Sequence, residues 1–267
     1  MSALDQLDER YRVILCDIWG CIHDGVQLYP GAAERLRRWR DEGRKIILIT
    51  NAPRTDEAVA RQLRRLGLDP SLWDGIATSG DAGIACLKQA ERPVGFIGTA
   101  ADRAILEGRG VRIADGDDFD ELACSGLDET RRSVADYDAQ LRPLAARGVL
   151  MHCLNPDRVV IRGGVPEACA GAIADRYLEL GGKVEWYGKP YPAIYRHAMR
   201  LAGNPPPSEV LAVGDGLDTD ILGAARMGFD AFYVTGGIAK GEPIPKEFAA
   251  NHQLGDWRPV AVVDSLH

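Results

Sequence analysis

The sequence predicts an α/β protein with a doubly wound, Rossmann-like parallel sheet and a second α/β domain inserted into it. Two observations support this prediction. Short apolar runs alternate with segments of helical periodicity along almost the whole chain, a pattern typical of a parallel sheet covered by helices. The middle of the chain carries its own set of strands and helices, after which the first pattern resumes.

The first part of the chain predicts three strands and two helices. The strands are indicated by short apolar runs, at residues 13–16, 45–49 and 76–78. The helices are indicated by apolar residues at helical spacing that stop at a glycine, over residues 32–42 and 57–66. Because crossovers between parallel strands are right-handed, this order predicts a doubly wound sheet.

The middle of the chain forms a unit of its own. Its strand patterns lie at residues 94–98, 111–113, 122–127, 149–154, 158–161 and 183–187. Its two longest helical segments span residues 133–147 and 167–180. Beyond them the first pattern returns, with helices at residues 193–202 and 219–227 and strands at 210–213 and 231–234. We therefore predict an inserted domain at residues 82–184 and a core of residues 1–81 and 185–267.

The composition sets limits on the class of function. The 267 residues are 46% hydrophobic and 27% charged, which is ordinary for a globular protein of one large or two modest domains. The net charge of −7 argues against a nucleic-acid partner. No segment approaches the roughly 20 apolar residues of a membrane span, and the first ten residues lack the apolar core of a signal peptide. Six cysteines without a CxxC pair indicate reduced thiols, so we expect a cytoplasmic, soluble protein.

Polar side chains follow three of the predicted strands directly. Asp17 ends the run ILCD, Thr50 and Asn51 end the run IILITN, and Asp215 follows the run VLAVG. A lone aspartate after a strand is usually a turn or capping residue. Ligands, however, bind beyond the carboxyl ends of the strands in open parallel sheets, so side chains at three equivalent places are expected to converge there.

These side chains fit an aspartate-based phosphoryl-transfer site. Asp17 is the candidate nucleophile, which would form a covalent aspartyl-phosphate. The negative charge of a transferred phosphoryl group requires cations, and Asp17 and Asp215 are candidate ligands for Mg²⁺, which prefers oxygen. Thr50 and Asn51 are candidates to bind the phosphate oxygens. Lys189, within the sequence GKP, would neutralise the nucleophile and the phosphoryl group; its alternative is a solvated surface lysine.

The acidic loop after Asp215, with the sequence GDGLDTDI, contains two further carboxylates. One of them is expected to open the following helix, where negative charge is favourable. We favour Asp220 over Asp218 as the residue that supports the metal or orients Lys189.

Together these segments resemble the motifs of the haloacid dehalogenase superfamily, a group of aspartate-nucleophile phosphatases. The inserted domain is similar to the α/β cap of its class IIA branch, which includes bacterial nucleotide, sugar and p-nitrophenyl phosphatases. The sequences NPD at residues 155–157 and YGKP at 187–190 resemble landmarks of this branch, so the resemblance covers nearly the whole chain. The resemblance implies Mg²⁺ as the cofactor and a small phosphorylated metabolite as the partner. It is also compatible with a homodimer.

The resemblance also implies roles for individual residues. By position, Asp17 corresponds to the nucleophile and Thr50 to the phosphate-binding hydroxyl. Asn51 corresponds to the adjoining motif residue, Lys189 to the third-motif lysine and Asp215 to the metal ligand. It further assigns the second acid of the last motif to Asp220 and a substrate contact in the cap to Asn155, for which a tight turn is the alternative.

One position departs from the family pattern. Where the family normally has an aspartate that transfers protons to and from the reacting oxygens, this chain has Trp19. The backbone carbonyl of Trp19 is still implied as a metal ligand, but an indole cannot act as a general acid near neutral pH. His23 and Asp24 are conceivable replacements, although a role in the loop is the expected one.

We therefore predict a Mg²⁺-dependent phosphatase that hydrolyses a small phosphorylated metabolite, a sugar phosphate or a nucleotide, through an aspartyl-phosphate. The alternative is a catalytically weak phosphate-ligand-binding or regulatory protein on the same scaffold, because of Trp19. Carbon–halogen hydrolysis is disfavoured, since Asp215 and its loop suit a metal.

Overall fold

The structure, a computed structural model, describes residues 3–131, 133–162, 165–237 and 243–266. The chain divides into two compact units. The first consists of Met1–Thr50, Asp56–Ala77 and Lys189–His267, and the second of Asn51–Thr55 and Thr78–Gly188. The domain boundaries expected from the sequence at residues 82 and 184 stay a prediction.

The strands of the described residues are, in chain order, β1 (Val13–Asp17), β2 (Lys45–Thr50), β3 (Gly75–Thr78), β4 (Gly95–Ile97), β5 (Glu121–Cys124), β6 (Leu150–Cys153), β7 (Val159–Arg162), β8 (Val165–Ala168), β9 (Lys183–Trp186), β10 (Val210–Gly214), β11 (Asp230–Val234) and β12 (Ala261–Val263).

The α-helices of the same residues are α1 (Ala32–Asp41), α2 (Asp56–Arg65), α3 (Ser79–Leu87), α4 (Ala100–Gly108), α5 (Asp138–Ala146), α6 (Ala170–Glu179), α7 (Pro192–Ala202), α8 (Leu222–Met227) and α9 (Phe248–Asn251). In the part of the chain that the structure describes, no helix combines the length and the apolar character that a bilayer crossing needs.

The first unit is built on a six-stranded sheet with the order β12-β11-β10-β1-β2-β3. β1 lies between β10 and β2 and pairs in parallel with both. The carboxyl ends of these three strands therefore meet at one edge of the sheet. This arrangement confirms the predicted fold class, a doubly wound Rossmann-like sheet.

Both faces of this sheet are buried. On one face, the side chains of β1, β2 and β10 pack against the apolar side of α7, in a cluster that includes Leu15, Ile47, Ala212, Ile194 and Ala198. Residues at the alternate positions, such as Ile14 and Ile46, point to the opposite face and are also fully buried. A parallel sheet buried on both faces explains the nearly continuous apolar runs in the sequence.

The second unit is α/β as well. Its four-stranded sheet has the order β4-β5-β6-β9, and β5 pairs in parallel with β4 and β6. The aromatic side chains of Tyr137 and Tyr177 and the apolar side chains of α5 and α6 cover this sheet in one buried cluster. β7 and β8 form a separate antiparallel pair.

Two element predictions within the second unit differ from the structure. The strand predicted at residues 111–113 is reduced to a single bridge between Val94 and Ile113. The helix predicted from residue 167 begins at Ala170, because Glu167 and Ala168 pair with β7 as part of β8. Pairing with a neighbouring strand thus overrides the helical preference of these residues.

Two predicted helices begin with a different kind of turn. The segment 133–147 starts with the 3₁₀ turn Val134–Tyr137 before α5 begins at Asp138. The segment 219–227 starts with the π-helical turn Leu217–Ile221 before α8 begins at Leu222. The second of these turns carries Asp218 and Asp220, so its geometry bears on the site.

Candidate active site

Asp17 and Thr50 lie side by side at the carboxyl edge of the first unit's sheet. Asp17 is the last residue of β1 and Thr50 the last residue of β2. Asp17 is the partner of Ile49 in the parallel register, so Thr50 lies one residue further along the same edge. Both side chains are buried, at 4% exposure each.

Asp215 comes to the same edge from the other neighbouring strand. Cys16 pairs with Val213, and Asp215 follows two residues later. Carboxylate oxygens of Asp17 and Asp215 and the sulfur of Cys21 all lie within 4.8 Å of one another.

A glycine makes this approach of Asp215 possible. Gly20 has a φ of +84°, and a Cβ atom added there would collide with the carboxylate of Asp215. A residue without a side chain is therefore required at this turn.

Lys189 connects two of the carboxylates. Its Nζ donates hydrogen bonds to Oδ1 of Asp17 at 2.6 Å and to Oδ1 of Asp220 at 2.8 Å. All three side chains are at most 6% exposed. Oδ2 of Asp220 accepts hydrogen bonds from the backbone N–H of Gly216 and the hydroxyl of Thr219, each at 3.2 Å. We call Lys189, Asp17 and Asp220 the Lys189 cluster.

The electrostatics of the Lys189 cluster follow from its burial. Burial raises the pKa of Asp17 well above its usual value, the charge of Asp220 adds to this, and Lys189 opposes both. For Lys189, burial alone would lower the pKa, but Asp17 and Asp220 outweigh it and hold the pKa well above its usual value. The lysine is therefore a permanent cation.

The residues present fit a divalent cation. The site has a net charge of −2 when all its groups are ionised, and one divalent cation would balance this charge. The groups are the carboxylates of Asp17, Asp215 and Asp220 and the ammonium of Lys189. The carbonyl oxygen of Trp19 accepts no hydrogen bond from the described residues. Since backbone carbonyls normally have a partner, this one is available to a ligand. Asp17, Asp215 and the Trp19 carbonyl are oxygen donors, as Mg²⁺ prefers.

The loop that follows Asp17 is held by local contacts. The indole of Trp19 is half-buried and meets the ring of His23 edge-on, at 5.1 Å between ring centroids. Gly25 has a φ of +96°, and a Cβ atom there would come within 2.5 Å of the Trp19 ring. We call residues 18–25 the Trp19 loop.

His23 and Asp24 both serve the structure of this region. Nδ1 of the buried His23 accepts a hydrogen bond from the backbone N–H of Gly25 at 2.9 Å, and burial lowers its pKa. Oδ1 of Asp24 accepts hydrogen bonds from the backbone N–H groups of Gln27 and Val26, which lower the pKa of this carboxyl. Neither residue is arranged as a proton donor, since the folded state disfavours the protonated form of each.

Asn51 and Asn155 belong to the second unit. The side-chain amide of Asn51 donates a hydrogen bond to Oδ1 of Asp157 at 2.8 Å. Oδ1 of Asn155 accepts one from the backbone N–H of Asp157 at 3.1 Å, which is the geometry of a tight turn. Asn155 therefore positions Asp157, and Asp157 in turn holds Asn51.

Sequence reasoning assigned no site role to Cys21. The approach of its sulfur to Asp17 and Asp215 depends on the turn at Gly20, which a residue pattern alone does not specify. For Asp157 the sequence allows a tight turn or a substrate contact, and its bond to Asn51, a residue 106 positions earlier, has no local signal in the sequence.

The fold and the site together define the class of the protein. A buried aspartate, a lysine and further acidic side chains lie together at the carboxyl edge of a doubly wound sheet, which is the arrangement of the haloacid dehalogenase superfamily. A family model described as haloacid dehalogenase-like hydrolase matches residues 14–112, and a second HAD-hydrolase-like model matches residues 186–267. The chain belongs to this family of hydrolases, as the sequence predicts.

Several relatives cover most of the chain. The crystal structure of a haloacid dehalogenase-like hydrolase from Brucella suis 1330 is 33% identical, with a TM-score of 0.84 over 100% of both chains. The ribonucleotide monophosphatase NagD of Escherichia coli K12 is 32% identical over 232 residues, which are 85% of this chain and 88% of NagD. An acid sugar phosphatase of Staphylococcus epidermidis is 28% identical over 93% of this chain and 96% of its own length.

Proposed function

We propose that this protein is a Mg²⁺-dependent phosphatase that hydrolyses a small phosphorylated metabolite, a sugar phosphate or a nucleotide. The observation that carries the proposal is the Lys189 cluster, in which a buried ammonium bonds Oδ1 of the candidate nucleophile at 2.6 Å. The similarity to a ribonucleotide monophosphatase and to an acid sugar phosphatase supports this class of substrate.

The contacts of Asp17 support a nucleophilic role. Lys189 holds Oδ1, and Oδ2 accepts no hydrogen bond from the described residues. In the proposed reaction Oδ2 attacks phosphorus, the bond from phosphorus to the leaving oxygen breaks, and water later hydrolyses the aspartyl-phosphate. Lys189 stabilises the negative charge of the transferred group, and Thr50 donates its hydroxyl to a phosphate oxygen.

The remaining site residues have supporting roles in this proposal. Asp17, Asp215 and the carbonyl of Trp19 would hold Mg²⁺, which supplies charge neutralisation and orients the phosphate. Asp220 orients Lys189. Asn51 and Asn155 are proposed as phosphate and substrate contacts. The cytoplasmic location and the homodimer expected from the sequence stay predictions.

Trp19 favours a second function. Without an acid at this position, general acid–base help worth about 10²–10⁴-fold is lost, and neither His23 nor Asp24 is arranged to replace it. A protein that binds a phosphate ester but turns it over slowly would fit the same site. Leaving groups that depart without a proton, such as nitrophenolate, would be the least affected.

Phosphate release from a panel of sugar phosphates, nucleotides and p-nitrophenyl phosphate tests the proposal. We expect turnover with Mg²⁺, loss of turnover with EDTA, and loss in Asp17→Asn. The matched control is Asp218→Asn, since Asp218 is 81% exposed and lies outside the Lys189 cluster. Turnover that survives in Asp17→Asn would refute the mechanism, whereas ester binding without turnover in the wild type would favour the binding protein.

A further inference from the structure

Cys21 is a thiol with no assigned role in the proposed reaction, yet its sulfur lies beside two carboxylates of the site. It follows Gly20, at the turn that brings Asp215 next to the end of β1. Its side chain is 2% exposed. Its sulfur lies within 4.8 Å of carboxylate oxygens of both Asp17 and Asp215.

The thiol of Cys21 has no hydrogen-bond partner among the described residues, whereas the neighbouring Cys16 donates its thiol to the carbonyl of Asp17 at 3.3 Å. Cys21 is therefore an unpartnered, buried sulfur directed at two carboxylates.

We propose that Asp17, Cys21 and Asp215 bind a thiophilic divalent cation of the Zn²⁺ and Cd²⁺ class, in competition with Mg²⁺. Thiolate ligands favour such ions, and two carboxylates complete a mixed sulfur–oxygen donor set. With metal–sulfur distances of about 2.3 Å and metal–oxygen distances of about 2.1 Å, the ligand atoms around one ion lie about 3–4 Å apart. The observed separations, within 4.8 Å, require only a small inward movement.

The binding step balances without a redox partner. The S–H bond of Cys21 breaks, a bond from sulfur to the metal forms, and the proton leaves to solvent. A neutral thiol is a poor ligand for Mg²⁺, which prefers oxygen, but a thiophilic ion displaces the proton.

This inference rests on the proposed function, because the two carboxylates are those assigned to Mg²⁺. Its consequence is a site with two occupancies. With Mg²⁺ one oxygen of Asp17 would bind the ion and the other would remain available for attack, whereas a thiophilic ion bound by Cys21 would occupy the same two carboxylates and exclude Mg²⁺. The ion would therefore inhibit turnover, and excess Mg²⁺ would relieve the inhibition.

The test is a titration of the EDTA-treated, full-length protein with Cd²⁺ alone, followed by ultraviolet difference absorption and by calorimetry. We expect a sulfur-to-cadmium charge-transfer band that saturates at one ion per chain. In Cys21→Ser the band should be lost and Cd²⁺ affinity should fall at least about tenfold. Cys86→Ser is the matched control, because Cys86 is exposed, and it should keep both the band and the affinity.

Each outcome decides the question. A wild-type protein without the band, or a Cys21→Ser variant that is folded by circular dichroism and keeps the band, would overturn the inference. If Cys21→Ser does not fold, loss of the sulfur-to-cadmium band in Asp215→Asn supports the site and an unchanged band overturns it. Mg²⁺-dependent phosphate release, measured on the same wild-type preparation, separates the two proposals: turnover without the band removes only the Cys21 site, and the band without turnover removes only the phosphatase.

Discussion

The Lys189 cluster and the Trp19 loop lie in the same unit and both involve the end of β1, but different interactions hold them together. The Lys189 cluster consists of buried charged groups that bond one another directly, at 2.6 and 2.8 Å. The Trp19 loop is held by backbone hydrogen bonds and ring contacts, and none of its side chains bonds the Lys189 cluster among the described residues.

The difference indicates that two parts of phosphoryl transfer are separable in this protein. The groups that would bind the phosphate and the cation are present, whereas the position that would transfer the proton is occupied by an indole. A variant in the Lys189 cluster should therefore affect every substrate, and a variant in the Trp19 loop should affect substrates according to their leaving group.

The largest effect is expected for Lys189→Met. Turnover should fall by about 10²–10³-fold or more for all substrates, because the transferred group loses its buried cation. Stability should also fall, by about 3–5 kcal/mol, since Asp17 and Asp220 remain as buried carboxylates without their partner. Steady-state kinetics and urea unfolding measure the two effects. Lys183→Met, at an exposed position of β9, is the control, and equal losses in both variants would contradict the role of Lys189.

A smaller loss is expected for Asp220→Asn. This change weakens the hydrogen bond that Lys189 donates to residue 220, so the ammonium is positioned less well. We expect kcat/KM to fall by about 10–100-fold. Asp218→Asn, only two residues away but 81% exposed, should stay within about twofold, because surface ion pairs contribute little. If the two variants lose activity equally, the π-helical turn rather than the Lys189 contact explains the effect.

Trp19→Asp tests the other side of the comparison. The new carboxyl should raise turnover of alkyl phosphates by about 10-fold or more relative to p-nitrophenyl phosphate, because only the alkyl leaving group needs a proton. Trp19→Asn is the matched control, since asparagine has nearly the same size as aspartate and its amide cannot transfer a proton. An equal change in the two variants would mean that removal of the indole, and not the acid, is responsible.

The sequence was sufficient to predict the positions of Asp17, Thr50 and Asp215 at one edge of the sheet. This was possible because each follows a continuous apolar run directly, and parallel strands end at the same edge. The preference for Asp220 over Asp218 came from the acidic loop after Asp215, and the family resemblance assigns the same residue. The structure directs Asp220 to Lys189 while Asp218 remains exposed.

Other features depend on contacts that leave no local pattern. β8 contains Pro166 and two residues of helical preference, and it forms a strand only because β7 is its partner. The bond between Asn51 and Asp157 joins residues 106 positions apart. Cys21 becomes a candidate ligand only after a glycine turn places its sulfur near two carboxylates, which a residue pattern alone does not specify.

The smallest effect concerns the pH dependence of stability in the Trp19 loop. Burial lowers the pKa of His23 below its usual value of about 6.5, so the folded state resists protonation while the unfolded state does not. As pH falls below about 6.5, the unfolded state binds more protons and the stability contributed by neutral His23 is lost. His23→Gln should therefore lower the melting temperature at about pH 7.5 by a few degrees, and by less at about pH 5.5. His252→Gln, at a half-exposed site, is the control: its melting temperature should differ from that of the wild type by the same amount at both pH values. If the difference between His23→Gln and the wild type is also the same at both pH values, His23 acts by packing alone.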